Sequence, residues 1–196
     1  MRELFEMTDL GLMTFFLGME VRRKDHEIFI FQKKYAKEIL NKFNLEECKG
    51  MNTPMNVKEK LSKDDGTEGV DQVHFRSMVG CLMYLTATRP DILNAVSILS
   101  RFMHCPTEMH LKAAKSVFRY VKNTCNFGIK FKKCEEFKLI GYSDSDWGGS
   151  VDDLKSTSGY CFFLGFGAFS WCSKKQDIVA QSTAEAEFIA ATAAVN

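Results

Sequence analysis

The hydrophobic period of this chain changes twice, and that restricts its architecture more than any other feature. Near the N-terminus, residues 14–22 (TFFLGMEVR) and 27–32 (EIFIFQ) are strand-like runs joined by polar residues, which predicts a β-hairpin. Tyr35, Ile39, Leu40 and Phe43 then share one helical stripe that ends near Asn44. A polar stretch follows over residues 51–70, with Thr53-Pro54 and Asp64-Asp65-Gly66 as turn signals. Three helical patterns come next. The second opens on Pro90 and Asp91, which suit a first turn, ahead of Ile92, Ala95, Val96, Leu99 and Phe102. The third starts at Pro106, with Leu111, Ala114, Val117, Phe118 and Val121 on its apolar side. From Phe137 the strand period returns over 138–144, 159–164 and 168–173, and the alanine-rich stretch 184–195 predicts a closing helix. Strands, then helices, then strands and a helix make an α+β chain.

Composition narrows the class further. With 45% hydrophobic residues the chain has enough apolar side chains for a core and is not a disordered tail. No apolar run approaches the roughly 20 residues of a membrane span, and the N-terminus lacks the layout of a secretory signal. The expected setting is intracellular and cytoplasmic, with a nuclear stage left open and no membrane partner. Seven scattered cysteines without a CxxC pair read as reduced thiols, and His104, Cys105 and His110 lack a second ligand pair at zinc-finger spacing. Net charge is +1, but it is unevenly spread: nine basic and three acidic residues lie between 101 and 140, and residues 141–196 carry a net −4. Cations beside a carboxylate-rich segment suit a protein that grips phosphates and holds metal ions.

The carboxylates worth weighing are Asp144 and Asp146, at the end of the strand KLIGYSD, and Glu185 and Glu187 on the closing helix. An extended backbone puts Asp144 and Asp146 on one side of a sheet. Glu185 and Glu187 are about 200° apart on a helix, so at most one faces that sheet, and the small residues Ala190, Ala191 and Ala194 on the Glu187 side favour Glu187. A strand-end carboxylate and a helix carboxylate can bridge Mg²⁺, and two such ions can clamp the attacking and leaving oxygens of a phosphodiester. On composition alone these are residues of a kind common on solvated surfaces.

Specific motifs change that balance. GYSDSDW (141–147), DDLKSTSGYCFFLG (152–165) and SWCSKKQDIVAQSTAEAEF (170–188) resemble the ribonuclease H of copia-type LTR retrotransposons. Upstream, LGLMTFFLGMEV (10–21), FRSMVGCLMYLTATRPDILNAVSILSRFM (75–103) and HLKAAKSVFRYVKNT (110–124) resemble the late palm and thumb of the same polyprotein's reverse transcriptase. The resemblance implies four parts: residues 1–50 as the palm end with a primer-grip-like hairpin and helix, 51–70 as a linker, 71–136 as a helical thumb or connection, and 137–196 as the N-terminal half of a ribonuclease H-like domain, a three-stranded antiparallel meander plus its first helix. It implies Asp144 and Glu187 as catalytic and metal-binding carboxylates, with Asp146 and Glu185 as neighbours. The family's third carboxylate and later residues would fall beyond Asn196, and its Tyr-x-Asp-Asp pair should precede the Met7-Thr8-Asp9-Leu10 stretch. The expectation is therefore a fragment with little or no catalysis of its own.

By the same resemblance the parent activity is RNA-directed DNA synthesis with hydrolysis of RNA in RNA/DNA hybrids, using Mg²⁺ or Mn²⁺, bound weakly or not at all by this chain alone. The implied partners are an RNA/DNA hybrid or primer-template and the remainder of the Pol polyprotein. Phe16, Leu17 and Gly18 would lie where the primer end is positioned, although apolarity alone predicts that Phe16 and Leu17 are buried. Lys112, Lys115, Arg119 and Lys122 cluster within about 80° on one helix and would follow a phosphate backbone or, alternatively, form an ordinary solvated face. Lys174 and Lys175 pose the same choice. Trp147, Trp171, Phe162, Phe163, Phe166 and Phe169 read as core rather than a base-stacking surface, and GFG (165–167) as a hairpin turn. A non-catalytic nucleic-acid-binding remnant and a domesticated or pseudogene product stay open as alternatives.

Overall fold

In a computed structural model, residues 11–56 and 60–195 are described; the Met7–Leu10 stretch lies outside them. The chain is α+β with two antiparallel sheets. The first sheet begins with β1 (Phe15–Phe16), β2 (Met19–Lys24) and β3 (Glu27–Phe31), which pair in succession as a meander. Leu17 and Gly18 make the first turn with positive φ of 45° and 74°. Glycine is required at the second position, because a Cβ there would strike the Tyr84 hydroxyl, which donates to the Leu17 carbonyl at 2.5 Å.

Helix α1 (Lys33–Lys42) follows, then α2 (Gln72–Leu85), a 3₁₀ turn (Pro90–Ile92) running into α3 (Leu93–Ser100), and α4 (Glu108–Asn123). Ala36, Ile39 and Leu40 of α1 share one apolar core with Phe75, Met78 and Leu82 of α2, Val96 and Leu99 of α3, and Val117, Phe118 and Val121 of α4. Each helix contributes one stripe to this core, at the 3.6-residue spacing visible in the sequence. The polar segment before α2 is tied down against α4: Met51 N–H donates to Arg119 O at 3.1 Å, and Val70 N–H donates to Pro106 O at 2.9 Å.

One element was not foreseen. Residues 71–136 were expected to be helical, but Gly128–Lys132 forms β4, antiparallel to β3. Its signal is a single alternation, with Ile129 buried between a half-buried Gly128 and an exposed Lys130, too short to stand out beside three helices. Gly128 admits β4 to the sheet, since a Cβ there would press into Ile30 O and Phe31.

The second sheet is β5 (Leu139–Ser145), β6 (Thr157–Leu164) and β7 (Gly167–Lys175), in that order. Gly165, at φ +60°, closes the β6–β7 hairpin. Helix α5 (Thr183–Val195) packs on β5 and β6 through the buried Ala186 and Ala190. The helical core docks on the same sheet from α3 and the end of α2: Ser97 Oγ donates to Ser173 O at 3.0 Å, and Trp171 Nε1 donates to Thr86 O at 3.2 Å. No helix among the described residues is long and apolar enough to cross a membrane.

Candidate functional site

Asp144 is the penultimate residue of β5 and is exposed. Ser145 lies half-buried under α5, where its hydroxyl accepts from Gln176, so the pleat sends Asp144 to the opposite face. There Asp144 lines a cleft of about 420 Å³ with Pro90, Asn94, Tyr142, Trp171 and Ser173. Glu187, exposed on the first turns of α5, accepts from the Ser145 backbone N–H at 3.4 Å. Because β5 is an outer strand, Asp144 and Glu187 flank one open strand end from its two sides.

The other two carboxylates are committed to local structure. Asp146 lies just past β5 and accepts from the Thr157 N–H, while its own N–H donates to Thr157 O at 3.3 Å. That closes the start of the 146–157 loop, while Asp146 still lines the same cleft as Asp144. Glu185 accepts from Gln181 N–H at 2.7 Å, and Ser182 Oγ accepts from Glu185 N–H at 3.2 Å, a helix-capping exchange. On α5 the packed residues are Ala186 and Ala190, so Glu187 sits at the margin of the packed face, with Ala191 exposed beside it.

The basic face of α4 divides in two. Arg119 Nε donates to Lys49 O at 2.6 Å and Lys122 Nζ to Cys48 O at 2.5 Å, so both hold the chain that leads away from α1. Lys112 and Lys115 are exposed and point outward beside them. Lys175 forms an ion pair with Asp153 at 2.5 Å, and Lys174 stays exposed. Burial tends to raise the Asp153 carboxyl, but Lys175, Ser150 and the Lys155 N–H outweigh it and hold its pKa at about 2.

Two expectations of burial fail. Phe16 and Leu17 are 49% and 69% exposed rather than buried, because the β1–β2 turn projects beyond the helical core. Trp147, Phe166 and Phe169 are also exposed rather than core, since they lie in a loop, at a hairpin tip and on an uncovered stretch of the sheet. All seven cysteines are free thiols. His110, weighed as a metal ligand, is instead fully buried: its Nδ1 accepts from Thr107 N–H at 3.0 Å, and its ring stacks on Phe102. Among the described residues no group of three or more His, Cys, Asp or Glu is arranged to hold a metal ion.

A family model described as "Reverse transcriptase (RNA-dependent DNA polymerase)" matches residues 1–57. The chain is 44% identical over 184 residues to the retrovirus-related Pol polyprotein from transposon RE1 of Arabidopsis thaliana, covering 94% of this chain and 13% of that protein. It is 40% identical over 197 residues to the polyprotein from transposon TNT 1-94 of Nicotiana tabacum, covering 96% of this chain and 15% of that one. It is also 41% identical to an uncharacterized mitochondrial protein of Arabidopsis thaliana, over 97% of this chain and 80% of the relative. The chain thus spans less than a sixth of the polyproteins it matches. No solved structure matches it. The chain belongs to the copia-type retrotransposon Pol polyprotein family and includes reverse-transcriptase sequence of that family.

Proposed function

We propose that residues 137–195 carry the first two metal-binding carboxylates of a ribonuclease H-type site, Asp144 and Glu187, and that the preceding residues contribute the palm end and thumb of a reverse transcriptase. The observation that carries this reading is the Glu187 carboxylate at the N–H of Ser145, the residue next to Asp144, with the helix and strand carboxylates on the two sides of one open strand end. The donor chemistry suits Mg²⁺ or Mn²⁺, which prefer hard oxygen ligands such as the two exposed carboxylates at this strand end. When bound, the ion would activate water against a phosphodiester of the RNA strand. Asp144 and Glu187 would hold it, and the Ser145 N–H orients the Glu187 oxygen. Two carboxylates bind such ions weakly, so this chain by itself cuts little or not at all and acts chiefly as a nucleic-acid-binding unit.

Lys112 and Lys115 supply the phosphate contacts in this reading, with Phe16, Leu17 and Gly18 at the edge of the same unit near a primer end. Arg119 and Lys122 are engaged with backbone carbonyls and support the fold instead. The substrate would be an RNA/DNA hybrid or primer-template, met together with other parts of the Pol polyprotein. The metal site is tested by Mn²⁺ titration followed by electron paramagnetic resonance. Asp144→Asn and Glu187→Gln should each weaken binding by about tenfold; equal affinity in all three proteins would rule the pair out.

A further inference from the structure

Gln176 follows β7 and extends its ladder by one bond, donating its N–H to Ser156 O at 2.8 Å. Its side chain is 5% exposed, buried where the sheet meets α5. The amide nitrogen Nε2 lies 2.9 Å from Ser158 Oγ, 3.2 Å from Ser145 Oγ and 2.9 Å from Ala186 O. Because a carbonyl oxygen can only accept, the Ala186 contact fixes which end of the amide points there. Ser145 directly follows Asp144, and Ala186 directly precedes Glu187. The amide oxygen Oε1 is buried with no hydrogen-bond partner.

An apolar side chain of similar size would fill this space without leaving a buried acceptor unsatisfied, an arrangement that costs stability. A donor that joins the two residues flanking the carboxylates gives a reason for keeping it. We infer that Gln176 is a positioning residue that fixes the first turn of α5 against the end of β5 and so sets where the Glu187 carboxylate stands relative to Asp144. This rests on the proposed role of that carboxylate pair. Partners that orient metal ligands without touching the ion commonly change affinity tenfold or more when removed.

The test uses the whole chain, isotope-labelled, with Mn²⁺ as the probe. Gln176→Glu keeps the shape and removes the donor. The expected result is a well-dispersed amide spectrum in which the Ser145 amide signal moves as it does in Glu187→Gln, and a Mn²⁺ concentration for half-broadening of the signals around Ser145 raised about tenfold. Ser158→Ala, which removes one of the three acceptors that share the two amide N–H groups, should change that concentration less than about twofold. A purely structural role would lower the melting temperature and leave both the Ser145 signal and Mn²⁺ response unchanged in the folded protein, which overturns the inference while sparing the carboxylate pair. If Glu187→Gln binds Mn²⁺ like the unaltered chain, the pair and the inference fall together. Should Gln176→Glu lose its dispersion, Gln176→Asn, which keeps the donor but withdraws it by one methylene, carries the same expectation and the same risk.

Discussion

Arg89 ties the 3₁₀ turn to the end of α4 at a single side chain. It is 2% exposed, forks onto both Asp91 oxygens at 2.8 and 2.7 Å, and donates to the carbonyl and hydroxyl of Thr124 at 2.9 and 2.7 Å. Tyr120 completes the set by donating to Asp91 at 2.8 Å. Removing one partner of such a pair leaves a desolvated charge or acceptor, so Arg89→Ala should cost about 3 kcal/mol, read from urea unfolding. Burial works to raise the Asp91 carboxyl, but Arg89 and the Tyr120 hydroxyl more than offset it, and its pKa is lowered. The hydroxyls of Thr107 and Thr67 hold Asp65 at about 2. Depressed carboxyls contribute stability above their unfolded value of about 3.9 and lose it as pH falls through the folded value. His110 acts in the same direction at higher pH: burial lowers its pKa, so stability is complete above about 6.5 and declines as acid protonates the unfolded imidazole first. The urea midpoint should therefore fall in two stages, below about 6.5 and again between about 4 and about 2, and His110→Phe should remove the upper stage. A single-stage curve in the unaltered chain would contradict this. These links were not read from the sequence, where Arg89 and His110 look like ordinary surface-type residues, although Asp91 and Thr107 lie only two and three positions away.

At the scale of elements, α1 to α4 and the second sheet were legible in their apolar period and α5 in its alanine content, with its packing face off by only one position. The strand β4 was not, because five residues with one buried side chain give almost no periodic signal and its pairing partner β3 is about a hundred residues away. The basic face of α4 was legible as a cluster and misleading as a unit, since sequence spacing cannot reveal that the carbonyls of Cys48 and Lys49 lie against half of it. The division predicts separable effects. Lys112→Glu with Lys115→Glu should weaken binding to an RNA/DNA hybrid and reduce the slope of log affinity against log salt by roughly 2, with little change in stability. Arg119→Ala should instead cost about 1 kcal/mol of stability by freeing the Lys49 carbonyl. If the Arg119 variant loses hybrid affinity as steeply as the double lysine variant while remaining as stable as the unaltered chain, the division is wrong.

Across the whole molecule, the second sheet is held to the helical core by a few polar bonds from α3 and by Trp171 beneath the end of α2, with Arg101 donating to Thr157 at 2.8 Å. The same α3 face forms one wall of the cleft that reaches Asp144. The sequence motifs identified the family, whereas the way the sheet docks on α3 depends on contacts between residues 56 to 85 positions apart and could not be read in advance. The docking predicts that Trp171→Ala loosens the second sheet before the helical core, seen as faster amide exchange in β6 and β7 than in α2 and α4; uniform exchange would contradict it. The central claim is that this chain binds nucleic acid through its cationic helix face and cuts little with its carboxylate pair alone. Its most direct test is a labelled RNA/DNA hybrid incubated with the purified chain and Mg²⁺, with gel retention and RNA integrity followed together beside Asp144→Asn and Glu187→Gln. The account predicts salt-sensitive retention that survives both substitutions, with the RNA strand intact. No retention at low salt, or cleavage that disappears in both variants, would contradict it.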